Sequence, residues 1–111
     1  MSQKKNCLQI ADELIHGDRQ EQYGMPISDF SRTAKIWGAI LGIEVTPEQV
    51  ALCMVGVKIS RECNQHKDDN IIDGIGYFGT LEMIHEYREN QQPDPPSKGR
   101  VLYPENWVNV V

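Results

Sequence analysis

No stretch of this sequence holds the roughly 18–20 consecutive apolar residues that a membrane-crossing helix requires, so no span of a bilayer is expected. The opening Met1-Ser2-Gln3-Lys4-Lys5-Asn6 lacks the apolar block of a signal peptide. Cysteine is scarce: Cys7, Cys53 and Cys63 are an odd number and form no Cys-x-x-Cys pair. That argues against a disulfide framework and for reduced thiols in a cytoplasm. Basic residues are the minority, with 11 Lys and Arg against 16 Asp and Glu and a net charge of −5. Duplex nucleic acid is therefore not an expected partner, because neutralising phosphates supplies most of that affinity. A local basic pocket for a small anion remains compatible with this balance. Internal repeats are absent as well. What is present is 111 residues, 40% hydrophobic and 24% charged, enough for one domain around a single core.

Apolar spacing predicts helices. Leu8, Ile10, Ala11, Leu14 and Ile15 recur at helical intervals in a first segment that starts at Ser2 or Asn6 and runs to about Tyr23, with Gly17 as a break or bend. Gly24 and Pro26 end it. Ser28 is the expected N-cap of a second helix reaching Leu41, with Phe30, Ala34, Trp37 and Leu41 on one stripe. Thr46-Pro47-Glu48-Gln49 then combines a capping threonine, a first-turn proline and a glutamine that closes a capping box. The third helix, to Cys63 or Asn64, is apolar nearly all round at its start, which predicts a central place in the bundle, with Cys53 in the core. A fourth helix, capped by Asp68 or Asp69, runs to about Asn90. It carries Gly74, Gly76 and Gly79, each costing about 1 kcal/mol relative to alanine, and close helix packing is the expected compensation. The expected domain covers residues 1–90. Residues 91–111 read as a Pro-rich linker and an apolar arm, Val101 to Val111, that packs on the bundle or reaches another subunit.

The chemistry concentrates where the third helix turns into the fourth. Lys58 and Arg61 lie one turn apart, and Asp69 and Asp73, four apart, share a helix face. Such a set is either a structural ion-pair cluster or a ligand site. In the second reading, Lys58 supplies a point charge and Arg61 a bidentate fork for phosphate, while Asp69 and Asp73 orient them or hold a divalent ion. His66 follows Cys63 at Cys-x-x-His spacing, but no second pair completes a tetrahedral zinc site. Arg19 and Tyr23, also four apart, are placed to meet a phosphate and a base or sugar; the alternative is that Tyr23 packs on the bundle end.

These residues resemble a known group. Arg19-Gln20-Glu21-Gln22-Tyr23-Gly24, Trp37, Val50-Ala51-Leu52-Cys53-Met54-Val55 leading to Lys58-Ile59-Ser60-Arg61, then Asp69 and Asp73-Gly74-Ile75-Gly76-Tyr77, look like a small phage and prophage family of helical proteins of unassigned function. The order is also similar to the nucleotide-modification-associated domain found near phage DNA-modification genes. More remotely, it looks like the all-α nucleoside triphosphate pyrophosphatases of the MazG type. That resemblance implies an all-α four-helix bundle and a nucleotide ligand contacted by Lys58, Arg61, Asp69, Asp73, Tyr77, Arg19, Tyr23 and His66. It implies Mg²⁺ at Asp69 and Asp73 if the protein is a diphosphohydrolase. The match departs from the pyrophosphatase pattern where Asn70 replaces an acid and where Lys58 and Arg61 replace a Glu-x-x-Glu. The expected protein is therefore a nucleotide binder of the bacterial host's cytoplasm and a homo-oligomer. It either hydrolyses its ligand or sequesters a nucleotide signal without catalysis. The alternative is a protein-interaction module acting through its C-terminal arm.

Overall fold

The structure is a computed structural model that describes residues 4–91. Within them the chain is helical, without strands, in five segments. The arm expected over 91–111 lies outside the described residues from position 92 onward.

Helix α1 (Cys7–His16) starts at Asn6 rather than Ser2. The Asn6 side chain accepts from the Gln9 backbone N–H at 2.9 Å, and the Asn6 N–H donates to the Gln9 side chain at 2.8 Å, closing a capping box. Gly17, at φ −127° and ψ −95°, breaks the helix, and a short α2 (Asp18–Tyr23) follows it. Gly24 closes α2 at φ +82°, a value glycine adopts without strain, and donates its N–H to the Gln20 carbonyl.

Helix α3 (Pro26–Leu41) begins three residues before the expected start. Ser28 lies inside its first turn, and Met25 takes the cap position without a side-chain bond. The reason is Pro26: its fixed φ already suits the first helical position, and its missing N–H would have been unpaired there. Gly42, left-handed at φ +73°, ends the helix by donating to the Gly38 carbonyl at 2.8 Å. A Cβ at Gly38 would come within 2.8 Å of the Ile43 carbonyl oxygen, so the chain can fold back only because Gly38 has none. Gly38→Ala is therefore expected to lower stability by about 1–3 kcal/mol in chemical denaturation, despite alanine's better helix propensity, because backbone has to move.

Helix α4 (Pro47–Asn64) opens with the expected Thr46–Gln49 capping box, and α5 (Asp68–Gln91) follows after a short turn. The central helix is α5, not α4. Among the described residues it packs against α4, α1 and α3, whereas α4 meets α5 and α3. Cys53 is exposed rather than buried, and Ile59 is 60% exposed. An all-round apolar composition identifies a helix able to be central; the number of neighbours it receives is set by the rest of the bundle. The core joins Phe30 and Ala34 of α3, Val50 and Ala51 of α4 and Ile84 of α5, with Ile27, Trp37, Met54, Tyr77 and Leu81 around it.

One of the three glycines of α5 has the expected explanation. A Cβ on Gly79 would lie 2.5 Å from the Ile15 Cδ1 of α1, so its absence lets α1 settle onto α5, whereas a Cβ on Gly76 would make an ordinary 3.5 Å contact with the same side chain. Further along α5, the charged Glu48 at the start of α4 is 2% exposed. It is held by Arg88 of α5 through two contacts, Nη2 to Oε1 at 2.9 Å and Nε to Oε2 at 2.7 Å.

Candidate functional site

The corner between α4 and α5 is built around Glu62, a residue that pattern reading did not single out as a site. Its carboxylate accepts from the Asn70 side-chain amide at 2.9 Å, from the Lys67 backbone N–H at 3.2 Å and from His66 Nδ1 at 2.5 Å. The last turn of α4 is thereby tied to the connecting turn and to the first turn of α5. Asn70, 8% exposed, lies in the first turn of α5 and its side chain serves as a donor toward Glu62. These donors, Asn70 first and His66 second, hold the Glu62 carboxyl down at about 2. His66 is shifted up, chiefly by its hydrogen bond to Glu62, with a smaller contribution from Asp68 at 3.4 Å.

The pH dependence follows from these directions. The Glu62 contribution is complete above the carboxylate's ordinary 4.5 and is lost as pH falls toward 2. The His66 contribution is complete below the ordinary imidazole value of 6.5 and is lost as pH rises through the raised folded value. The corner is thus strongest between about pH 4.5 and 6.5. Melting temperature measured from pH 6 to 9 should fall more steeply in the wild type than in His66→Ala; equal slopes would remove His66 from the corner's stability.

The charged residues expected to converge are divided between two cavities. An open depression of about 470 Å³ is lined by Lys58, Ser60, Arg61, Asn64, Gln65, Lys67, Asp69 and Asn70. Among the described residues neither Arg61 nor Lys67 has a carboxylate partner. A smaller cavity of about 180 Å³, mostly apolar, lies between α1, α2 and α5 and is lined by Ala11, Leu14, Ile15, Arg19, Gln22, Ile72, Asp73, Gly76 and Tyr77. The two adjoin through one ion pair, Lys58 Nζ to Asp73 Oδ2 at 2.7 Å, with Lys58 on the wall of the first and Asp73 on the wall of the second. The Lys58 side chain is only 13% exposed.

Arg19 is placed over the Tyr77 ring, 5.3 Å from its centroid, and also 5.8 Å from that of Phe30. Cation–π contacts at such distances contribute of the order of 0.5–2 kcal/mol and orient the guanidinium. Tyr77 itself stands 6.4 Å from Phe30 at 47°, which fixes one edge of the apolar cavity. Tyr23 closes α2, and its side chain lies outside the described residues. His66 lines neither cavity; its partners are Glu62 and Asp68.

The donor set does not fit a carboxylate-held metal. Asp69 lines the basic depression and Asp73 the apolar cavity, where Lys58 already occupies it. Among the described residues no group of three or more His, Cys, Asp or Glu side chains is arranged to hold a metal ion, and Cys63 and His66 belong to no such group. No helix of the described residues is long and apolar enough to cross a membrane.

Comparison with known proteins supports the phage resemblance. The chain is 37% identical over 99 residues to the Gene 55 protein of Mycobacterium phage L5, an overlap of 87% of this chain and 64% of that protein. It is 32% identical over 90 residues to the Gene 55 protein of Mycobacterium phage D29, covering 80% and 60% respectively. The chain thus spans less than two thirds of the length of these relatives. No solved structure matches it. Residues 6–85, which contain α1 to α4, the Glu62 corner and both cavities' lining residues, match one family model, and the chain belongs to that family, described as "Domain of unknown function (DUF6378)".

Proposed function

We propose that this protein binds a nucleotide, holding phosphate in the basic depression and the base or sugar against the apolar cavity. The observation that carries this reading is the adjacency of the two cavities across the Lys58–Asp73 pair. On one side, Arg61 and Lys67 bring positive charge to an open surface of a chain whose net charge is −5. On the other, Tyr77, Leu14 and Ile15 offer an apolar wall with Arg19 fixed above the Tyr77 ring. Arginine and lysine without carboxylate partners can exchange water for phosphate oxygens and form charge-assisted bonds there. Lys58, already neutralised by Asp73, positions rather than binds.

The reading favours binding over hydrolysis. A MazG-like diphosphohydrolase would need converging carboxylates for magnesium, whereas Asp69 and Asp73 line different cavities and Asn70 is committed to Glu62. The relatives are phage proteins, and sequestering a host nucleotide is a role that requires affinity without turnover.

Thermal-shift measurement with nucleoside mono-, di- and triphosphates and cyclic nucleotides, each with and without magnesium, tests both parts. A ligand present at 100-fold excess over its Kd stabilises by about 2.7 kcal/mol, which a melting curve resolves. The expected result is a rise in Tm that survives omission of magnesium, with the nucleotide recovered intact by chromatography. Absence of a shift with every nucleotide at millimolar concentration sinks the proposal. Recovery of a monophosphate and pyrophosphate keeps the site and replaces the binder with a hydrolase.

A further inference from the structure

The cavity between α1, α2 and α5 is apolar over most of its wall, yet two ionised side chains line it, Asp73 from α5 and Arg19 from α2. Their relative places follow from the helices. Asp73 and Tyr77 are four apart and share a face of α5, and the Arg19 guanidinium lies over the Tyr77 ring, 5.3 Å from its centroid. At 1.5 Å per residue, Asp73 and the residue beneath the guanidinium are separated by about 6 Å along the helix. An acceptor and a donor group thus stand about one helical turn apart on the wall of a cavity of about 180 Å³, room for one base.

The ion pair with Lys58 does not exhaust Asp73. A carboxylate has about four acceptor positions, and Lys58 Nζ, 2.7 Å from Oδ2, takes one of them. Among the described residues no second partner engages this carboxylate, and its side chain is 40% exposed. Arg19 already meets the Tyr77 and Phe30 rings, and a guanidinium carries several N–H donors that serve more than one acceptor at once. A ligand that displaces water from this wall must replace the hydrogen bonds of the carboxylate, because an ionised acceptor left without a donor is costly. The cavity therefore selects a ligand with an apolar flat face and donors on the edge that meets Asp73.

The common bases differ in this respect. Guanine carries two adjacent donors, N1–H and the 2-amino group, on one edge and two adjacent acceptors, O6 and N7, on another. Adenine has one amino group between two acceptors, cytosine one amino group beside two acceptors, and uracil one N–H between two carbonyls. Guanine alone can give a carboxylate two donors and a guanidinium two acceptors. We propose that the base taken by this cavity is guanine, with Asp73 accepting from N1–H and the 2-amino group and Arg19 donating toward O6 and N7. This inference rests on the nucleotide reading above and names the base within it. Lys58 then has a defined part: from the side of the basic depression it keeps the Asp73 carboxylate ionised and in place, and so joins the base site to the phosphate site.

Isothermal titration of the full chain with guanosine, inosine, adenosine, cytidine and uridine nucleotides, each as mono- and triphosphate, tests this. The guanosine nucleotide should bind roughly 10-fold or more tighter than every other at equal phosphate number, since each rival leaves the carboxylate short of a donor. Inosine is the sharpest comparison, because it lacks only the 2-amino group. Asp73→Asn, which offers one donor and one acceptor, should reverse the preference and favour xanthosine, whose 2-carbonyl replaces that amino group. Inosine bound as tightly as guanosine, a preference for another base, or a folded Asp73→Asn that still prefers guanosine overturns the guanine assignment and leaves the nucleotide reading standing. So does equal binding of all bases with a loss on 2′-deoxy substitution, which would give Asp73 to the sugar. Binding by none of these nucleotides overturns both. The inosine comparison needs no variant, so it decides the matter even if Asp73→Asn fails to fold.

Discussion

Arg88→Ala is expected to cost about 3–5 kcal/mol, a large part of the 5–15 kcal/mol that ordinarily stabilises a domain. Glu48 is 2% exposed, and the guanidinium of Arg88 supplies both of its charge-assisted contacts. Removing the arginine leaves a carboxylate with neither water nor a cation, so the loss is mainly the desolvation penalty of the survivor rather than the worth of the pair. The double variant Glu48→Leu, Arg88→Met removes both charges and should recover most of the stability, since well-packed apolar residues commonly replace buried ion pairs without loss. Urea denaturation of the wild type, both single variants and the double variant measures this as a cycle. Single and double variants equally destabilised would mean that Glu48 and Arg88 act through packing instead.

Arg61→Ala should weaken nucleotide binding by roughly 10- to 100-fold while leaving the melting temperature of the free protein within about 1 °C. A hydrogen bond to a charged group contributes about 1.5–3 kcal/mol, and Arg61 offers two such bonds to a phosphate. Because Arg61 is exposed and has no carboxylate partner among the described residues, its loss leaves no buried charge behind. Lys58→Ala has a different signature. It frees Asp73 beside the apolar cavity and should lower stability and affinity together. Isothermal titration of both variants with the nucleotide identified by thermal shift separates the two roles. Unchanged affinity in Arg61→Ala would remove the basic depression from the binding site.

Much of the local architecture was legible because short-range chemistry decides it. Thr46 and Gln49 form their capping box from neighbouring backbone groups alone, and Gly17, Gly24 and Gly42 interrupt helices through their own dihedral freedom. Lys58 and Asp73 were recognisable as partners because they flank a single tight turn. The start of α3 was misplaced for an equally local reason, since Pro26 at the first helical position outweighed the capping ability of Ser28.

The Glu62 corner was harder to read. Glu62, His66 and Asn70 follow one another at four-residue intervals, a signal that was available in the chain but does not by itself say that the glutamate ties α4 to α5. Glu48 and Arg88 are separated by 40 residues, and no pattern in the chain pairs them. The separation of Asp69 from Asp73 was invisible for another reason. Residues four apart do share a helix face, but which cavity each meets depends on where α1, α2 and α4 cross α5.

By itself the sequence determined the helical class, most helix ends, the two acids and two cations at the α4–α5 corner and the membership of a phage family, because caps, turn residues and periodicity act over a few residues. The tertiary structure alone decided that α5 is the central helix, that Lys58 is neutralised by Asp73, and that Arg61 has no carboxylate partner among the described residues. Those outcomes depend on how many neighbours each helix face receives, a quantity that no single helix encodes.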